Sequence, residues 1–125
     1  MKRILISVIF LIIAVTCTSQ VKSDYEVFWE SSPDAFDYLV FFEELTDTNS
    51  SQLADSIDWN EQGLTVTAVT ANLTYTTQSN NDGNYLRAGI VSRAASGVYG
   101  MMKVSGFFKK GSIPAMVGNV GIRKK

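Results

Sequence analysis

The sequence predicts an all-β domain, a sandwich of about seven strands, in the part of the chain that follows an apolar N-terminal segment. Apolar and polar residues alternate along most of the chain after residue 24, as in strands with one buried face. Runs of turn-forming residues, such as 31–34 and 78–84 with Asp82-Gly83, separate the alternating segments. The remaining length of about 105 residues suits one domain with a single core.

Six segments carry the alternation, and Leu86, Ala88 and Ile90 share one face of the fifth. The predicted strands are 25–30, 38–42, 64–69, 72–77, 85–93 and 99–108. Residues 52–60 are either a short helical turn or an irregular strand. Residues 116–122 form a further short apolar segment, predicted to be extended. Short strands joined by polar turns favour two packed sheets.

The N-terminus has the organisation of a signal peptide. Lys2 and Arg3 precede an apolar run, residues 4–15, interrupted only by Ser7. A membrane-spanning helix needs roughly 20 apolar residues, whereas a run of about 12 is typical of the hydrophobic region of a signal peptide. We therefore predict a signal peptide in residues 1–19 and an extracytoplasmic protein; a buried core helix and a retained membrane anchor are the alternatives.

Cys17, the only cysteine, lies where the apolar run ends. Residues 14–17 resemble the lipobox of bacterial lipoproteins, with Ala14 and Thr16 at the positions that depart from its usual pattern. Cleavage before Cys17 would make it a lipidated first residue, whereas cleavage after Ser19 would remove it and release the protein. The predicted membrane contact is thus limited to the signal peptide or a lipid on Cys17, and neither outcome provides a disulfide.

The composition argues against catalysis. The chain has no histidine, the commonest general base and metal ligand, and no hydroxyl has a recognisable base partner. Asp55, Asp58 and Glu61 could supply oxygen ligands to calcium, but they lack the glycine-punctuated spacing of a dedicated loop. We predict a protein that is not an enzyme and that uses no cofactor or metal.

Charge is unevenly distributed along the chain. Apart from Asp82, the acidic residues end at Glu61; after the signal peptide, the basic residues other than Lys22 begin at Arg87. Such an asymmetry can mark a charged partner surface, but the two halves of a sandwich interleave, and we expect the charges to pair across its surface. Since no basic stripe with interleaved aromatic residues is present, nucleic acid is not an expected partner.

Residues 24–108 resemble a fibronectin type III domain of the bacterial extracellular type. Trp29 and Tyr38 resemble the tryptophan and tyrosine of its B and C strands. Residues 86–97 and 99–105 are similar to its F strand, F–G turn and G strand. The resemblance implies a seven-stranded, immunoglobulin-like sandwich that serves as a binding module, spacer or adhesion element and has no cofactor.

Two features depart from that family. Tyr85 is one residue out of the register that places Leu86 inward, and a one-residue slip reverses the face of a side chain. Little chain precedes residue 25 to form the family's first strand, whereas residues 114–122 resemble that strand. We predict that this C-terminal segment, within residues 109–125, pairs beside strand 25–30, either in its own chain or by donation to a neighbour; an ordinary loose tail is the alternative.

Trp59 is the candidate ligand contact, together with Asp58 and Glu61, because an aromatic side chain among carboxylates suits a binding surface; packing over the sandwich edge is the alternative for Trp59. Trp29, Tyr38 and either Phe28 or Phe41 are expected to be core residues. The predicted function is a non-catalytic module that binds a protein or carbohydrate at the cell surface. The alternative is a structural subunit of an envelope or virion-associated assembly that self-associates through its C-terminal segment.

Overall fold

The computed structural model describes residues 22–80, 85–109, 116–117 and 119–125. In these ranges the protein is all-β, with nine short strands and one 3-10 turn at Thr48–Ser50. The predicted signal peptide with Cys17 and the predicted Asp82-Gly83 turn lie outside the described residues. Two antiparallel sheets pack face to face as a sandwich, which confirms the predicted fold class.

The strands are, in chain order, β1 (Lys22–Trp29), β2 (Asp37–Leu45), β3 (Ala68–Thr70), β4 (Thr74–Asn80), β5 (Tyr85–Arg93), β6 (Lys103–Val104), β7 (Phe108–Lys109), β8 (Met116–Val117) and β9 (Val120–Lys124). One sheet has the order β4-β1-β9-β8. The other has the order β3-β2-β5-β6, and β7 pairs with β5 beyond the end of β6.

The described end of the C-terminal segment, residues 119–125, is part of the sandwich, as predicted; residues 110–115 and 118 lie outside the described residues. β9 pairs antiparallel with β1 in the same chain, from Tyr25 opposite Lys124 to Trp29 opposite Val120. Period-2 alternation turns Val120 and Ile122 inward, and both side chains are buried. The segment therefore supplies core residues as well as covering the edge of β1.

The inner core lies between the sheets and contains the alternating residues of the long strands. Its buried members are Tyr25, Val27, Trp29, Tyr38, Val40, Leu86, Ala88, Ile90, Phe108, Val120 and Ile122. Leu86, Ala88 and Ile90 share the inward face as predicted, and Tyr85 lies on the other face, half-buried. The rings of Trp29 and Tyr38 meet edge to face with centroids 5.7 Å apart, so the two aromatic residues are core residues as expected.

A second apolar cluster covers the outer face of the five-stranded sheet. Leu39, Phe41 and Val91 project from β2 and β5 onto this face and are buried beneath Leu53 and Met102. The irregular segment 51–67 lies over them, with partly buried apolar side chains at Ile57, Trp59, Leu64 and Val66. Both faces of this sheet are therefore buried.

The predicted strand 64–69 is wrong in extent, because only Ala68–Thr70 pairs with β2. The backbone N–H of Phe42 donates to the Thr67 hydroxyl at 3.0 Å. In a continued strand pair this N–H would instead donate to a backbone carbonyl of the neighbouring strand. Leu64 and Val66 pack on the outer cluster instead. Alternation in this segment reflects burial against the sheet face rather than strand pairing.

The predicted strand 99–108 is divided into three pieces by two one-residue bulges. Tyr99 bridges Arg93, whereas Lys103 pairs with Ile90 and Phe108 with Leu86, so one extra residue is inserted in each interval. Each bulge reverses the face of the residues that follow it. Tyr99 and Val104 consequently lie on the outer face, while Phe108 reaches the inner core.

Acidic residues of the first half of the chain pair with basic residues of the second half, as predicted. Arg93 on β5 forms two hydrogen bonds with Asp37 on β2, of 2.8 and 2.5 Å. Arg123 on β9 pairs with Glu26 on β1, its Nε donating at 2.7 Å. Because β2 lies beside β5 and β1 beside β9, the asymmetry along the sequence becomes local pairing in space.

Candidate functional site

The segment that covers the outer face is tied to the sheet at its start. Glu43 and Arg87 lie opposite each other on β2 and β5. The Glu43 carboxylate accepts hydrogen bonds from the Ser51 hydroxyl at 2.6 Å and the Gln52 N–H at 2.8 Å. Arg87 donates to the Ser51 hydroxyl and to the Leu53 carbonyl, both at 2.9 Å. These charge-assisted bonds hold the segment down where Leu53 enters the cluster.

A second set of hydrogen bonds ties the segment to β6 and to Met102, the residue before it. The Asp55 carboxylate accepts from the Val104 N–H at 3.0 Å, and the Ser56 N–H donates to the Met102 carbonyl at 2.9 Å. Ser56 has a φ of 65°, a left-handed conformation that is uncommon for serine. The chain turns sharply there and is directed back across residues 99–102.

Residues 58–64 form a compact turn that presents Trp59. Asp58 accepts hydrogen bonds from the N–H groups of Asn60 at 3.1 Å and Glu61 at 3.2 Å, an arrangement that lets aspartate initiate turns. The Leu64 N–H closes the turn by donating to the Trp59 carbonyl at 3.0 Å. The position of Trp59 is thus determined by backbone hydrogen bonds on both sides.

Trp59 stands between two other aromatic rings. Its ring centroid is 5.7 Å from that of Phe41 beneath it and 5.5 Å from that of Tyr99, which it meets edge to face. Segments 56–60 and 99–101 enclose a groove of about 380 Å³. Asp58, Trp59, Tyr99 and Met101 are among the residues that line it, so the concave surface combines residues of aromatic, thioether and carboxylate type.

Arg93 positions Tyr99 at the edge of this groove. Arg93 faces Tyr99 at an isolated β-bridge and forms two hydrogen bonds with Asp37. The hydrogen bond to Asp37, with a smaller effect of the neighbouring Tyr99, raises the pKa of Arg93 above its ordinary value. The hydrogen bond from Arg93 lowers the pKa of the Asp37 carboxyl below its usual 3.8, against the opposing effect of burial. An ion pair that is fully charged at neutral pH therefore lies beside the tyrosine.

Exposed apolar side chains continue the groove outward. Val98, Tyr99 and Met101 are 67, 47 and 65% exposed, although each is large and apolar. Neighbouring exposed apolar residues on an otherwise polar surface are typical of interaction sites. Met101 lies within the first bulge, between Tyr99 and Lys103, where the regular alternation of side chains is interrupted.

Two of the three predicted ligand contacts line the groove. Trp59 and Asp58 belong to it, whereas Glu61 does not. Trp59 is half-buried. One side of its ring packs on Phe41, which agrees with the alternative that Trp59 packs over the sandwich edge, and the rest of the ring remains accessible. Sequence reasoning missed Tyr99 and Met101, because the alternation across residues 99–108 indicates one regular strand. Gly97 and Gly100, which flank Tyr99, are the signal of an irregular edge.

A smaller cavity of about 90 Å³ lies at the end of the sandwich beside Trp29, Ser92 and Lys103. The buried indole Nε1 of Trp29 has no hydrogen-bond partner among the described residues. Within the same part of the chain, no three histidine, cysteine, aspartate or glutamate side chains are grouped so that they could hold a metal ion. Asp55, Asp58 and Glu61 therefore do not form a metal site.

Compared with known proteins, the chain matches no family model, no curated protein and no solved structure. Within the four described ranges, no helix is both long and apolar enough to cross a membrane.

Proposed function

We propose that the protein is an exported, non-catalytic binding module of the fibronectin type III kind, which binds a protein or carbohydrate ligand in the groove beside Trp59. The observation that carries this proposal is the groove itself. It joins a preordered aromatic side chain to a patch of exposed apolar residues, with the Asp58 carboxylate at its wall. A rigid aromatic residue with a few polar groups is the usual composition of a ligand site.

The arrangement of strands supports the family resemblance. Trp29 and Tyr38 lie on β1 and β2, in opposite sheets, and contact each other across the inner core. β9 lies beside β1, in the position that the first strand of the family would occupy. β5 lies between β2 and β6, the order expected for the strands compared with C, F and G.

Binding is tested by probing the purified protein against a glycan array and an array of extracellular proteins, which separates the two ligand classes. Met101→Ala should weaken any hit at least fivefold, because Met101 is 65% exposed at the groove and its removal leaves the core intact. Leu73→Ala is the matched control, since Leu73 is an exposed apolar residue in the turn between β3 and β4. Equal effects of the two substitutions on every hit would place binding elsewhere.

Export is tested by mass spectrometry of the N-terminus of the protein recovered from its native host. A lipidated Cys17 as first residue would make the module a tethered one, and Gln20 as first residue would make it a released one. An intact Met1 on protein recovered from the soluble cytoplasmic fraction would contradict export, whereas an intact Met1 on membrane-bound protein would indicate a retained anchor.

A further inference from the structure

β9 is the last strand in chain order and forms a hairpin with β8. It pairs with β1 on one side and with β8 on the other, and β8 pairs only with β9 among the described residues. We propose that this hairpin is exchangeable, so that β9 of one copy pairs in the same register with β1 of a second copy and each copy completes the sandwich of the other.

The inner core requires the place beside β1 to be filled. Val120 and Ile122 are 1 and 0% exposed, and they pack against the inner cluster together with Val27 of β1. Departure of β9 would expose these apolar surfaces and the unpaired backbone of β1, which is a template for another strand. An empty position is therefore unfavourable, and an equivalent strand is drawn into it.

The side chains at the β1–β9 contact select this particular strand as the replacement. An added Cβ at Gly121 would lie 2.5 Å from the Phe28 ring, so the position tolerates only glycine without a shift of that ring. Arg123 lies over the other part of the same contact, with its guanidinium carbon 4.5 Å from the Phe28 ring centroid, and pairs with Glu26. β9 of a second copy has the glycine at position 121 and the arginine at position 123 that this contact requires, so it fits the place beside β1.

The position of the hairpin in the chain makes the exchange accessible. Only the part of the chain after β7 has to leave, so the strands of the other sheet keep their partners. Six residues, 110–115, connect β7 to β8, and a chain of that length can span roughly 20 Å when extended. Because the exchanged contacts are identical to those within one chain, the closed dimer gains every interaction that the monomer loses.

Charge reversal at one ion pair tests the proposal with the full chain. Glu26→Arg and Arg123→Glu each place like charges at this contact, in the monomer and in a dimer of the same variant. Mixed, refolded together and concentrated, the two variants can restore a pair of opposite charges only by exchanging β9. Native mass spectrometry should show at least tenfold more heterodimer in the mixture than dimer in either variant alone.

The matched control is the single chain carrying both E26R and R123E, which restores the pair internally and should give no such increase. A mixture of the two single variants that remains monomeric, while the control folds, overturns the exchange.

A covalent trap keeps the proposal testable if the charge variants fold poorly. One copy carries Glu26→Cys and the other Arg123→Cys, each with Cys17→Ser, and the two are incubated under mild oxidation. Exchange predicts a disulfide that joins position 26 of one copy to position 123 of the other, identified by peptide mapping. Lys124→Cys in place of Arg123→Cys is the control, because Lys124 pairs with Tyr25 and its side chain is on the opposite face. Equal yields from the two combinations would contradict exchange.

Discussion

The two faces of the five-stranded sheet are buried by different kinds of structure. The inner face packs against a second sheet, so regular strands meet regular strands. The outer face packs against the irregular segment 51–67 and the bulged residues 99–104. Hydrogen bonds that the Glu43 and Asp55 carboxylates accept and that Arg87 donates hold these residues in place. The sheet-on-sheet contact leaves a cavity of about 90 Å³ at one end, whereas the irregular cover leaves a groove of about 380 Å³ between Trp59 and Met101.

Because of this difference, the inner face of the sheet contributes mainly to stability, whereas the cover of the outer face provides the candidate binding surface. Regular strands bury alternating residues efficiently but present little concave surface. An irregular cover buries less uniformly, and its turns can place aromatic and charged side chains where a ligand reaches them. We therefore expect the largest effects on stability at the inner face and the largest effects on binding at the outer one.

The largest loss of stability is expected from Ile122→Ala on β9. Ile122 is fully buried in the inner core, so its truncation should cost about 2–5 kcal/mol of unfolding free energy, measured by urea denaturation. Val69→Ala, at a residue that is 52% exposed, should change it by less than about 0.5 kcal/mol. Similar values for the two variants would show that β9 is not part of the cooperative core.

Leu53→Ala tests the outer face in the same way. Leu53 is 4% exposed, but it lies on an irregular segment that can settle into the space left behind. We expect a cost of about 2 kcal/mol, at the lower end of the range for such truncations. Hydrogen exchange should accelerate in residues 52–67 more than in β1 and β9; uniform acceleration would mean that the two faces unfold as one unit.

Gly121→Ala probes the closest approach between β9 and β1. The new methyl group would meet the Phe28 ring, which is half-buried and can move outward, so the expected cost is about 1 kcal/mol. Phe28→Ala on the same chain should remove most of that penalty, and a double-mutant cycle measures the compensation. Additive effects of the two substitutions would contradict the contact.

The smallest effect concerns the dependence of stability on pH through the ion pair of Asp37 and Arg93. Since folding lowers the pKa of Asp37, the pair stabilises the protein above the ordinary pKa of 3.8, and this contribution is lost as the pH falls below that value towards the lowered pKa. Urea midpoints at pH 3 and pH 7 should therefore differ less in Asp37→Asn than in the wild type. Arg93→Gln should reduce the difference similarly, and an unchanged difference in both variants would exclude this origin.

The alternation of apolar residues is sufficient to predict the long strands of the inner core. Residues 85–93 form β5 with the predicted bounds, and Leu86, Ala88 and Ile90 point inward. The apolar pattern of the C-terminal segment predicts that it pairs with β1, and the structure places β9, Val120–Lys124, there. Trp59 and Asp58 also stand out in the sequence, because an aromatic residue among carboxylates is unusual in a turn.

The sequence by itself thus determined the all-β fold class and the inward face of β5, since period-2 alternation records which residues share a face. Tertiary structure alone decided that residues 64–67 are not a strand, that two bulges interrupt 99–108 and that the sheet has a second buried face. Local patterns carry no record of which segment supplies the neighbouring hydrogen bonds. The groove beside Trp59 arises from that long-range choice, because Tyr99 and Met101 lie in the bulged segment 99–104 that pairs beside β5.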